Sequence, residues 1–119
     1  MKYLCLVYYE EAKLQALSKR AFDALVAESL AYDEELRQGG HFVAAQALQS
    51  VQTATTIRRN SNGKLSMTDG PFAETKEQLG GFILIEARDL NDAMSVAAKI
   101  PSGRLGSIEV RPILELTAS

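Results

Sequence analysis

Residues 68 to 87 read TDGPFAETKEQLGGFILIEA. Whether this connection feeds a buried strand or a helix sets the topology of the whole chain. Its end, GFILIEA (81–87), is a short apolar run rich in β-branched and aromatic residues, the pattern of a central strand. The residues before it bend the chain. Gly70 opens backbone conformations closed to other residues, and Pro71 fixes φ. Asp69 is placed to accept backbone N–H groups from the turn it starts. Phe72 is an anchor for the core or for a partner. Thr75 and Gln78 have capping-box spacing, which predicts one helical turn over Lys76–Leu79. Gly80 and Gly81 then release the chain into the strand.

Upstream, residues 2–9 predict a strand apolar on both faces, with Leu4 and Leu6 on one and Tyr3, Cys5 and Val7 on the other. Residues 19–38 predict a helix capped by Ser18 and ended by Gly39-Gly40. Phe22, Leu25, Val26, Ser29 and Leu36 lie on its apolar stripe. HFVAAQAL (41–48) reads as a second strand. TATTIRR (53–59) and KLSM (64–67) flank NSNG, a hairpin signal. Downstream, Asp89 caps DLNDAMSVAAKI, whose Ala93, Val96, Ala97 and Ile100 form a buried side, with Pro101 just past its end. SIEVRPIL (107–114) closes as a strand, with Ile108, Val110 and Leu114 alternating with Glu109 and Arg111.

The order β-α-β-hairpin-β-α-β is the split βαβ pattern of a ferredoxin-like α+β fold with an inserted β-hairpin. Both helices must then lie on one face of the sheet. The strands at 2–9 and 81–87 are apolar on both faces, so one apolar face stays uncovered. A homodimer with sheets face to face, a dimeric α/β barrel, is the economical solution.

The totals narrow the function classes. The chain has 119 residues, which fits a single domain over 1–119 with a core of its own. With 46% hydrophobic and 24% charged residues it is expected to fold rather than stay disordered. Net charge is −2 with no basic block, which disfavours nucleic-acid binding through phosphates. Cys5 is the sole cysteine, so no intrachain disulfide forms and a reducing compartment is suited. The start reads as a strand, not a signal peptide, and no apolar stretch has the length of a membrane span. A cytoplasmic location is expected. The chain has no P-loop, dinucleotide fingerprint, zinc pattern or nucleophile elbow, so neither a cofactor nor a metal is expected.

TDGPFAETKEQLGGFILIEARDLNDAM followed by GSIEVRPI resembles the DGPF-type proteins of the YCII-related superfamily. The resemblance extends to the MKYLCLVY start and to the helix end LRQGG. It implies a dimeric ferredoxin-like barrel in a bacterial protein, and no particular reaction. YCII-like relatives are proposed to use a His–Asp pair, with the Asp in a similar turn and the His early in the first helix. Asp69 matches that Asp in place. The first helix here contains no histidine, and the single histidine, His41, opens the second strand.

Asp69 is therefore the candidate acid/base residue, with turn capping as its structural alternative. Gly70, Pro71, Phe72, Glu74, Lys76, Glu77 and Arg111 are candidates for a ligand-binding loop; the alternative for Glu74, Lys76 and Glu77 is a solvated turn with local ion pairs. His41 reads as a proton shuttle or, more simply, a satisfied strand residue. Tyr8, Tyr9 and Tyr32 offer hydroxyls or packing, and Cys5 reads as a small buried hydrophobe. The functional expectation is a cofactor-independent small-molecule enzyme using Asp69, or alternatively a non-catalytic ligand-binding or regulatory module.

Overall fold

The computed structural model describes residues 1–117. Strand β1 (Lys2–Tyr9) leads through a one-turn helix α1 (Glu11–Gln15) to the long helix α2 (Lys19–Gln38) and strand β2 (Phe42–Ala47). A hairpin of β3 (Thr55–Arg59) and β4 (Leu65–Asp69) follows. The chain closes with β5 (Gln78–Glu86), α3 (Leu90–Ala97) and β6 (Gly106–Pro112). The main sheet has the order β2-β5-β1-β6, entirely antiparallel, which is the ferredoxin-like arrangement with β3–β4 set apart as its own two-stranded sheet.

The alternation along β1 places Tyr3, Cys5 and Val7 in the core, beside Ile83 and Ile85 of β5. Tyr32 and Leu36 of α2 and Ala93, Val96 and Ala97 of α3 belong to the same cluster, so both helices cover one face. The Tyr32 hydroxyl donates to the Val96 carbonyl at 2.6 Å, joining the two helices, and burial pushes its phenol up to about 12. Cys5 is fully buried, and desolvation pushes its thiol up to about 11.

Among the described residues nothing gives the opposite face such cover. Leu4 faces Leu84 and Arg111 across the sheet, and Leu6 faces Phe82 and Glu109. Paired residues point the same way, so these six side chains share the open face. Tyr8 joins them, its hydroxyl donating to Glu109 Oε1 at 3.2 Å. The molecule is a slab of 50 × 49 × 18 Å with a radius of gyration of 16.5 Å. A compact chain of this length has a radius of about 13–14 Å.

The caps expected from sequence form: the Ser18 hydroxyl accepts the Ala21 N–H, and the Asp89 carboxylate accepts the Asp92 N–H at 2.8 Å. Four local expectations do not hold. No helical turn forms over Lys76–Leu79, because β5 begins at Gln78. There the Thr75 hydroxyl donates to the Glu77 carbonyl and the Gln78 amide donates to the Thr75 carbonyl, so no Thr75–Gln78 capping box forms, and Gln78 Oε1 accepts the Glu11 N–H at the start of α1 instead. Asp69 does not start a turn either. It is the last residue of β4, opposite Thr55, and the turn begins at Gly70, whose φ of 105° only glycine adopts easily. Phe22 and Val26 share the α2 stripe but are left exposed. Leu114 lies beyond the end of β6 and is also exposed.

Ile85 is fully buried at the centre of the core. Ile85→Ala is expected to cost about 2–5 kcal/mol, through lost transfer energy and a residual cavity, read as a lowered midpoint in urea unfolding.

Candidate functional site

A cleft of about 430 Å³ lies between α2 and the β2–β5 half of the sheet. It exists because the sheet surface there is low. Gly80, Gly81, Ala45 and Ala47 floor it, and the α2 residues Phe22, Val26 and Leu30 stand above without reaching down. Close approach of backbone requires Gly81, and a side chain at Gly80 would displace the Tyr9 ring. A Cβ on Gly80 would lie 2.3 Å from the Tyr9 ring, and one on Gly81 would lie 2.7 Å from the Gln46 carbonyl oxygen. Tyr9 thus sits against bare backbone at the cleft's edge.

The walls are mostly apolar, with polar groups from Tyr9, Ser29, Asp33 and Gln46. Burial raises the Asp33 carboxyl above its ordinary value, an effect the Arg37 guanidinium partly offsets. Burial, and secondarily the Glu11 carboxylate, raises the Tyr9 phenol. The Ser29 hydroxyl donates to the Leu25 carbonyl at 2.8 Å, leaving its lone pairs free to accept. The cleft thus sets the Asp33 carboxyl, whose hold on its proton burial strengthens, and the Tyr9 and Ser29 hydroxyls beside apolar walls.

Glu11 ties the cleft mouth to the hairpin. Its carboxylate accepts the Val51 N–H and the Ser50 hydroxyl, both at 2.7 Å, while its own N–H donates to Gln78 Oε1 at 2.9 Å. One residue thereby fixes the exit of β1, the start of the hairpin and the start of β5.

Of the residues singled out from sequence, Tyr9 and Tyr32 line this cleft, whereas Asp69, the loop residues after it and Arg111 lie outside it. The Asp69 carboxylate is exposed on the hairpin and takes no hydrogen bond from any described residue. The Gly70 N–H closes the hairpin base on the Ala54 carbonyl at 2.7 Å. Pro71 follows in the turn. Phe72 is 75% exposed, and its carbonyl accepts the Arg58 guanidinium. Glu74 is exposed, and Lys76 approaches Glu10 at 3.9 Å as a solvated pair. Glu77 accepts the Ser107 hydroxyl at 2.8 Å, joining the loop to β6. Arg111 stands on the open sheet face.

His41 has a partner that sequence reading did not foresee. Its Nε2 lies 3.2 Å from both carboxylate oxygens of Asp92, at the end of β5 remote from the hairpin. The Arg88 backbone N–H holds the Asp92 carboxyl below its usual range, with a smaller contribution from His41. The Asp89 carboxylate accepts the Asp92 N–H while the Asp92 carboxylate accepts the Arg88 N–H, so the two side chains together fix the start of α3. His41 is thereby satisfied and latches β2 to α3. Among the described residues, no three His, Cys, Asp or Glu side chains gather to hold a metal ion. Nor is any helix among them long and apolar enough to cross a membrane.

The model of the YCII-related domain matches residues 1–117. The chain belongs to the YCII-related family. An uncharacterised protein of Rhizobium meliloti (strain 1021) is 35% identical over 115 residues, spanning 95% of this chain and 92% of that protein. Among solved structures, a 5-chloro-2-hydroxyhydroquinone dehydrochlorinase from Burkholderia phenoliruptrix AC1100, in complex with 2,5-dihydroxybenzoquinone, is similar with a TM-score of 0.53. That likeness covers 96% of this chain and 94% of the dehydrochlorinase at 19% identity, a likeness of fold.

Asp33 is the site residue that sequence reading missed in this YCII-related chain. Its signal was present: it follows Ser29 by four residues on the helix face that carries Phe22 and Val26, a carboxylate among apolar neighbours. Because its folded-state carboxyl is raised, the native state holds its proton to higher pH than the unfolded state. The group therefore costs stability as pH rises above the ordinary carboxylate range. Asp33→Asn is expected to raise the melting temperature at pH 7 and leave it unchanged near pH 3, checked by thermal melts across pH.

Proposed function

We propose that this YCII-related protein works as a homodimer that binds a small, largely apolar cyclic molecule in the α2–sheet cleft and moves a proton on it. The observation that carries this reading is the conjunction, in one cleft, of apolar walls with the desolvated carboxyl of Asp33 and the Tyr9 hydroxyl. Asp33 is the acid/base group, since its raised carboxyl retains a proton closer to neutrality than an ordinary aspartate. Tyr9 and Ser29 orient the ligand's oxygens. The dehydrochlorinase of similar fold, solved with a hydroxylated quinone, supports a ligand of that size and shape. The open apolar sheet face supports the homodimer, with Leu4, Leu6, Phe82 and Leu84 packing against a second copy as a barrel.

A second reading keeps Asp69 as the acid/base residue of the DGPF loop, with Lys76 or Arg111 as an anion contact. Its support is an exposed carboxylate that takes no hydrogen bond from the described residues. A third has the cleft bind its ligand without transforming it.

Titration with 2,5-dihydroxybenzoquinone, followed by calorimetry, tests the cleft. Ser29→Trp, which fills the cleft from α2, is expected to weaken binding by at least about 10-fold, the loss of about 1.4 kcal/mol. Unchanged affinity in the folded variant removes the cleft as the site. With a turned-over substrate in hand, Asp33→Asn is expected to abolish the reaction and Asp69→Asn to leave it; the reverse result assigns the chemistry to the DGPF loop.

A further inference from the structure

The β3–β4 hairpin is an arm whose two faces differ. Its register pairs Thr55 with Asp69, Ile57 with Met67 and Arg59 with Leu65, and these six side chains point to one side. Thr56, Arg58, Ser66 and Thr68 point to the other. The polar side is tied to its own chain. The Thr56 hydroxyl donates to the Gly70 carbonyl at 2.8 Å, and Arg58 donates to that of Phe72. On the apolar side one Arg59 N–H donates to the Gly63 carbonyl of the turn at 2.9 Å and leaves the other guanidinium donors free, while Ile57 and Met67 are 62% and 72% exposed. The arm pairs with no other strand, and a lone two-stranded hairpin is marginal in water.

The apolar side is also symmetric in a particular sense. Ile57 and Met67 form its middle rung. Two residues toward the tip lies Arg59, and two residues toward the base lies Asp69. A two-fold axis through the middle rung lays this surface on a copy of itself. Ile57 and Met67 then meet their equivalents, and the positive tip of each arm covers the negative base of the other. Self-complementarity under a two-fold is what an isologous contact requires, and it favours a second copy over an unrelated partner.

We propose that the arms of two subunits pack face to face about such an axis, with Arg59 of each subunit paired to Asp69 of the other across a centre of Ile57 and Met67. This rests on the homodimer of the preceding reading. Each strand of the arm has five residues, about 17 Å in length at 3.3 Å per residue, too small a surface to hold a dimer that needs about 800 Å² per subunit. The open sheet face supplies the rest, and the arms add register and specificity. In the dimer, Asp69 and Arg59 leave solvent together. The carboxylate is then occupied by a guanidinium, so Asp69 serves as an interface anchor.

Charge reversal tests the contact by sedimentation velocity at low and high salt. Asp69→Arg and Arg59→Asp are each expected to weaken dimerisation by about 10-fold or more, through like charges brought together on both sides of the axis. Arg59→Asp combined with Asp69→Arg is expected to restore it to within about 3-fold of the starting protein, as the pair is rebuilt in reverse. Thr68→Lys, on the polar face, is the matched control and is expected to have no effect. Single variants that leave the dimer intact, or a double variant that fails to recover it, overturn the arm contact. Leu6→Lys on the sheet face separates the two readings. If it dissociates the dimer while the arm variants do not, the homodimer stands and the arm contact falls. A wild-type chain that stays monomeric at high concentration removes both.

Discussion

Everything in this molecule is referred to β1, a strand that is apolar on both sides while helices cover only one. It holds two antiparallel ladders, to β5 and β6, so its twist and register pass to the whole sheet. One set of its side chains makes the core with α2 and α3. The other set, with its cross-strand partners, presents an apolar surface that water disfavours. The thin slab, the projecting arm and the large radius for the chain length all express that asymmetry.

Much of this architecture was legible in the sequence because it rests on local rules. The period of β1, the Ser18 and Asp89 caps, the Gly39-Gly40 stop and the NSNG turn each act over a few residues, and each lands where expected. The failures lie where a non-local contact took a side chain away from its local role. Gln78 has the spacing of a capping residue, yet Glu11, far away in sequence, claims its carbonyl. Asp69 has the composition of a turn former, yet strand pairing with Thr55 extends β4 through it.

The candidate site was legible only in part for the same reason. The DGPF loop draws attention because its residues are unusual, whereas the cleft depends on residues that are small. Gly80 and Gly81 read as a release into a strand; their structural role is to let Tyr9 and the β2 backbone come close, leaving a hollow beneath α2. Asp33 carries a signal only once one knows that the apolar stripe around it hangs over that hollow. Likewise, His41 looked solitary until the fold brought Asp92 beside it.

The buried thiol of Cys5 has a practical side. It is the one cysteine of the chain, fully enclosed and with its proton held tightly by burial, which disfavours reaction with thiol reagents at neutral pH. A cysteine introduced anywhere on the surface becomes the sole reactive handle without any change to the core. A fluorophore at the tip of the arm would then report that segment's exposure and mobility directly, in solution and on the native background.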